Sequence, residues 1–102
     1  KVNDPVTEFG LIKGYPNPFN PSTNISFSLS KVGAGRKAIV SVFDLAGKQV
    51  SKSELNVDMH GRHTVSWNGK DVNGRCVATG VYFAQVSVGA HKSAILKLIL
   101  MK

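Results

Sequence analysis

Tyr15-Pro16-Asn17-Pro18-Phe19-Asn20-Pro21-Ser22-Thr23, running on into Asn24-Ile25-Ser26-Phe27-Ser28-Leu29-Ser30, is the stretch from which the fold can be read. Three prolines fall within six positions. Each fixes its own φ, lacks a backbone donor and pushes the preceding residue toward extended conformations. Neither a helix nor a central strand can hold such a segment. It reads as a rigid, extended lead-in to a run of β-strands beginning near Asn24. Ile25, Phe27 and Leu29 then alternate with three serines, the period of two that gives a strand one buried and one wet face.

The same pattern continues in both directions. Lys1–Gly10 is polar, contains Pro5 and shows no period, so residues 1–10 read as a linker or lead-in from a preceding domain. Leu11–Tyr15 reads as a short edge strand and Val32–Arg36 as a loop. Ala38–Leu45 is apolar on both faces, with Ala38, Val40 and Val42 on one and Ile39, Phe43 and Leu45 on the other, which predicts a central strand covered on both sides. Ala46-Gly47 makes a tight turn into Lys48–Leu55. Asn56–Gly61 is a loop, and His63, Val65 and Trp67 mark a half-buried strand. Asn68–Gly80 is polar, with turn signals at Asn68-Gly69 and Asn73-Gly74 and a few strand residues at Arg75-Cys76-Val77. Val81–Val88 is rich in β-branched and aromatic residues. His91–Met101 reads as one closing strand, either central or a sticky edge that another chain could extend. Residues 11–102 are thus expected to form one all-β, antiparallel sandwich of immunoglobulin or fibronectin III type, with about seven strands. The expected core is Ile25, Phe27, Leu29, Val40, Val42, Val65, Trp67, Tyr82, Ala84, Val86, Leu96 and Leu98.

Composition narrows the function. At 102 residues the chain suits a single domain. Thirteen Lys and Arg against six Asp and Glu give a net charge of +7, but the cations are spread from Lys1 to Lys102. That is a generally basic surface rather than a focused polyanion site. Cys76 is the single cysteine, which excludes an internal disulfide and a cysteine-cluster metal site. No stretch approaches the ~20 apolar residues of a membrane-spanning helix. No signal peptide stands at Lys1, and the absence of an initiator Met suggests a domain excised from something longer.

The search for chemistry returns little. No nucleophile elbow, zinc-protease helix or phosphate-cradling loop occurs. Asp4, Glu8, Asp44, Glu54, Asp58 and Asp71 are scattered, with no pair that suggests a cleft. His60 and His63 fall short of a metal-ligand set and read as ordinary surface or edge histidines. Asp71-Val72-Asn73-Gly74 lacks the acidic end of a calcium loop and reads as an Asx-turn in which Asp71 and Asn73 bond their own backbone. No catalytic residue, metal ligand or cofactor is assigned. Tyr15 and Phe19 flank the prolines and read as a staple that holds the entry segment down, the alternative being an exposed sugar-stacking platform. Phe27, Trp67, Tyr82 and Phe83 are expected to pack inward.

Several motifs occur together and in order. Tyr15-Pro16-Asn17-Pro18-Phe19-Asn20-Pro21-Ser22-Thr23-Asn24-Ile25 is followed by Val42-Phe43-Asp44-Leu45-Ala46-Gly47-Lys48-Gln49-Val50. Val65-Ser66-Trp67-Asn68-Gly69-Lys70-Asp71-Val72-Asn73-Gly74, Thr79-Gly80-Val81-Tyr82-Phe83 and the terminal Lys97–Lys102 complete the set. From Leu11 to the last residue the chain resembles the C-terminal sorting domain carried by proteins exported through the type IX secretion system of Bacteroidetes-like bacteria. It departs at Asn68, where Asp is common, and at Phe43, where Tyr is common. The Trp-x-Gly-x-Asp and Gly-x-Tyr segments are also similar to the Ig-like domain of the flagellar hook-capping protein.

The resemblance implies a non-catalytic module behind an N-terminal cargo such as an extracellular, polysaccharide-degrading hydrolase. The cargo would cross the periplasm and be secreted or anchored at the cell surface, with the translocon and its outer-membrane machinery as partner and no role for nucleic acid. The residues implied in recognition are Gly80, Val81, Tyr82, Lys97, Leu98 and Lys102. The proline segment, Tyr15, Pro16, Asn17, Pro18, Phe19, Asn20 and Pro21, would rigidify the link to the cargo. The alternatives are a carbohydrate- or cell-wall-binding accessory module and a structural Ig-like spacer.

Overall fold

Alternating apolar and small polar residues produce strands here because each strand has one face to bury and another to wet. The computed structural model describes residues 8–31, 36–57 and 61–102, and among these there are eight strands and no helix. They are β1 (Glu8–Tyr15), β2 (Thr23–Lys31), β3 (Arg36–Phe43), β4 (Gln49–Val57), β5 (Gly61–Trp67), β6 (Gly80–Val88), β7 (His91–Lys92) and β8 (Leu96–Leu100). The expectations for residues 1–7, 32–35 and 58–60, His60 included, lie outside the described residues.

Two antiparallel sheets form. One has the order β1-β2-β5; in the other, β4-β3-β6, the far edge of β6 is shared by β7 and β8. The pairings Ile25↔Val65, Phe27↔His63, Val40↔Val86 and Val42↔Ala84 bring inward residues opposite one another. Between the sheets Ile25, Phe27, Val40, Val42, Ala84, Val86, Leu98 and Leu100 are all buried. Trp67 sits at one end of this core against Phe19 and Tyr82, with ring centroids 5.6 and 5.4 Å away. Its Nε1–H donates to the Lys70 carbonyl at 2.9 Å, so burying the indole leaves no donor unmet.

Several expectations need correction. β1 begins at Glu8, three residues before Leu11. β3 is central within its sheet but covered on one face only: Ile39 and Phe43 are half-buried, and Leu45 lies beyond the strand, exposed in the turn. Val65 and Leu96 are half-buried and pack against the core's margin. Phe19, Ile12, Ala38, Val50, Val57, Val88 and Leu100 are core residues beyond the expected set, Ala38 on the face shared with Val40 and Val42.

The closing segment is two strands, not one. Ser93 interrupts it, and its side chain does the work of a ladder partner. The Val86 N–H donates to Ser93 Oγ at 2.9 Å, and the Ser93 N–H donates to the Val86 carbonyl at 2.8 Å. Ser93 Oγ–H donates in turn to the Ala94 carbonyl. A hydroxyl that reaches the neighbouring strand lets the chain bulge without orphaning a buried amide.

The outer edge of β8 is closed by the proline segment. The Asn17 amide donates from Nδ2 to the Lys97 carbonyl at 2.8 Å and accepts at Oδ1 from the Ile99 N–H at 2.9 Å. Two residues on, the Phe19 N–H donates to the Ile99 carbonyl at 2.8 Å, and the Met101 N–H donates to the Phe19 carbonyl at 2.9 Å. Asn17 thus stands in for a peptide unit, and Phe19 for one residue of a parallel strand. Thr23, itself buried, fixes the segment's other end by donating from Oγ1 to the Pro16 carbonyl at 2.7 Å. Gly14 allows the close approach behind it, since a Cβ there would lie 2.7 Å from Leu98 Cδ2.

Two loops at this end share one plan. In Asp44–Lys48 and Asp71–Arg75 the Asp carboxylate accepts from the amides two and four residues on, at 2.9–3.0 Å. In each, the Asp amide donates to the carbonyl four residues on, and a glycine at φ +85° or +79° makes the turn. The Asx-turn expected at Asp71 is present, but Asn73 joins through its backbone amide.

Two predictions follow from these contacts. Asn17→Asp puts a carboxylate oxygen against the Lys97 carbonyl, whereas Asn17→Ala leaves the edge to water. Chemical denaturation should show Asn17→Asp losing about 1–3 kcal/mol, more than Asn17→Ala. The Arg75 amide, opposed by desolvation and seconded by the Asn73 amide, holds the Asp71 carboxyl below its ordinary pKa. A lowered folded-state pKa stabilises above the unfolded value and is lost as pH falls through the folded one. Thermal melts of Asp71→Asn should therefore fall short of the parent's at neutral pH and converge with it in acid.

A candidate recognition surface around the carboxyl-terminal strand

The residues implicated at the two ends of the chain meet in space. The proline segment and the terminal strand, 80 residues apart, share one hydrogen-bonded edge. The structure nevertheless divides each group by orientation. Tyr82 and Leu98 face the core, and the Tyr82 hydroxyl donates to the Ala78 carbonyl at 2.6 Å. Burial, then the negative charge of Asp44, pushes that phenol's pKa up, so it remains a proton donor. Val81 and Lys97 point away from the core; Val81 is half-buried and Lys97 exposed. Lys102 is exposed, and its backbone N–H donates to Thr79 Oγ1 at 3.3 Å. Gly80 pairs with Leu100 at the start of β6.

In the proline segment, Tyr15, Pro16, Asn17, Pro18, Asn20 and Pro21 are exposed. Phe19 is not: it is 2% exposed and packs on Trp67, so it cannot serve as a stacking platform. Phe83, expected inside, points outward from β6 opposite Phe43. Trp67 and Phe27 are core residues as expected.

The two outer faces differ. On the three-stranded sheet the rows are Tyr15–Asn24–Ser66 and Lys13–Ser26–Thr64, with Ser28 beside Arg62. On the other sheet the row Phe43–Phe83–Lys97 lies next to the Val81–Ile99 pair. Period-two parity could have revealed this second, apolar face, because Phe43, Val81, Phe83 and Ile99 all alternate with buried residues. The double bond of Asn17 to β8 has no comparable signal in the sequence, since it is a long-range match of side chain to backbone.

Beside Val81, the loops carrying Asp44–Ala46 and Thr79–Tyr82 enclose an open, mainly apolar cleft of about 320 Å³. A second cleft, of about 350 Å³, lies between the twin loops. Both of its carboxylates, Asp44 and Asp71, are engaged in holding their own turns. No three His, Cys, Asp or Glu side chains converge among the described residues. His63 stacks beside Phe27, and Cys76 is exposed.

Comparison with solved structures places the fold among known domains. Dimeric latent PorU from Porphyromonas gingivalis aligns with a TM-score of 0.81 at 17% identity, over 98% of this chain and 10% of PorU. The chain thus spans about a tenth of that protein. FlgD from Xanthomonas campestris, described in connection with hook capping in flagellar assembly, aligns at 0.61 and 16% identity, over 93% of this chain and 67% of FlgD. The sensor domain of the anti-sigma factor RsgI4 of Pseudobacteroides cellulosolvens aligns at 0.63 and 15% identity, over 93% of this chain and 94% of that one. At these identities the likeness is one of fold. No curated protein matches the chain. The family described as the secretion system C-terminal sorting domain matches residues 13–101, from the middle of β1 to the residue after β8, and the chain belongs to that family.

Proposed function

We propose that this chain is a non-catalytic address module that follows an exported cargo and is read, as a folded sandwich, by the type IX secretion machinery. The family match supports a sorting role on a protein that is secreted or displayed at the cell surface. The observation that carries the structural part of the reading is the shared edge between the proline segment and β8. It ties the point where a cargo would join to the tail that the machinery would inspect. Val81, Lys97 and Lys102 supply the accessible part of that tail, while Gly80, Tyr82 and Leu98 hold it in register. The class of cargo proposed, on the family resemblance alone, is an extracellular hydrolase.

One observation favours a second reading. Tyr15 is 78% exposed beside rows of Asn, Ser, Thr, Lys and Arg side chains, where a sugar ring could stack. A single aromatic makes a small platform, and Trp67 is buried. Polysaccharide pull-down retaining a reporter fused to the chain, with retention abolished by Tyr15→Ala, would select this reading.

The sorting role is tested by fusing the 102 residues behind a periplasmic reporter in a bacterium with a type IX system. The fusion should reach the surface or the medium, and deleting Leu98–Lys102 should trap it in the periplasm. The deletion removes Leu98 and Leu100, both fully buried, so loss of the fold is part of the expected effect. A fusion that stays in the periplasm with the domain intact, or one exported equally well without its tail, refutes the role.

A further inference from the structure

We infer that the outer face formed by Phe43, Val81, Phe83 and Ile99 is the surface on which the sorting domain docks, and that its partner is a protein surface with an apolar centre and an acidic rim. The inference rests on the sorting role proposed above and specifies where and how the domain is read.

The solvent face of an antiparallel sheet is ordinarily polar. The paired rows of the three-stranded sheet follow that rule, with Tyr15 and Leu11 as single exposed apolar side chains on its edge strand. The five-stranded sheet departs from it at one end, where half-buried apolar side chains are adjacent. Phe43 and Phe83 lie directly opposite one another on neighbouring strands, and Val81 and Ile99 form the next row. Leu45, 73% exposed at the tip of the adjoining turn, extends the patch over the cleft beside Val81. Contiguous apolar surface of this kind marks an interaction site.

Backbone chemistry limits how β8 can be approached. Its inner edge pairs with β6, and its outer edge is occupied by Asn17 and Phe19. Strand addition at this edge is therefore blocked, and a partner meets side chains.

Charge decides what kind of side chains it brings. Lys97 stands opposite Phe83, and Lys102 is tied through its amide to Thr79 at the cleft's margin. Asp44 also lines the cleft, but its Oδ1 is committed to the Ala46 and Lys48 amides. At the other end of the sheet Lys37 and Lys52 both pair with Glu54, at 3.7 and 3.9 Å. These are the two ion pairs among the described residues, so Lys97 and Lys102 have no acid within ion-pair distance there. A chain with net charge +7 and two such cations at the rim of an apolar patch is matched by carboxylates on its partner.

The test uses the reporter fusion with three variants. Phe43→Thr with Phe83→Thr removes the apolar centre while keeping β propensity, and Lys97→Glu reverses a rim charge at an exposed site. Arg62→Glu makes the same charge change on the other sheet's outer face. Melting curves establish that each fusion is folded. The first two variants should lower the exported fraction at least tenfold, and Arg62→Glu should export like the parent. Export of folded Phe43→Thr/Phe83→Thr and Lys97→Glu at parental levels overturns the docking surface while leaving the sorting role intact. If the double variant does not fold, Lys97→Glu alone decides. A parent fusion held in the periplasm refutes the sorting role, and the partner falls with it. Co-sedimentation of the fusion with phosphatidylglycerol vesicles, lost in Lys97→Glu, would assign the face to lipid and overturn a protein partner.

Discussion

The four hydrogen bonds along the outer edge of β8 are the constraint on which the rest of the molecule depends. A terminal strand with an apolar inner face and one unpaired edge invites association with other chains. Here the edge is met by Asn17 and Phe19, which supply one amide side chain and the backbone N–H and C=O of one residue. Sealing that edge also inserts Phe19 beside Trp67 and seats Leu98 against Gly14. The same contacts that blunt β8 thus complete the core at that end. Proline suits the segment because it forbids continuation as a regular strand, and Asn supplies donor and acceptor from one side chain.

Side chains replace backbone at two points, one beside β6 and one beside β8. Ser93 serves the amide of Val86 where β7 gives way to β8, and Asn17 serves Lys97 and Ile99 on the far side of β8. Both devices let the chain leave regular pairing while keeping polar groups satisfied. They also leave the side chains of Lys97 and Ile99 as what β8 presents to solvent. The far side of β8 thus displays a surface rather than an extendable strand.

The strands were legible in the sequence because burial on a sheet follows a period of two, and β2, β3, β5 and β6 all carry that pattern. Inward residues such as Ile25, Val40, Trp67 and Ala84 could be named from it. What alternation cannot show is whether a second layer covers the opposite face. Ile39 and Phe43 looked like residues of a doubly covered strand, and they border solvent instead. Local sequence left Phe19 between staple and exposed platform, because it stands among prolines while its burial depends on Trp67 and on β8, both distant in the chain. The motifs around Tyr82 and Lys97 fall on two strands that pair with one another. Their division into core and surface required the register between β6 and β8.

Amide hydrogen exchange at Ile99 and Met101 tests the central claim most directly. Both amides point away from β6, so only the proline segment protects them. The account predicts protection comparable with that of Leu98 and Leu100 in the parent protein, and selective loss of it at Ile99 in Asn17→Ala. Exchange of Ile99 and Met101 at the rate of open chain, beside protected Leu98 and Leu100, would show that the edge is not sealed and would contradict the account.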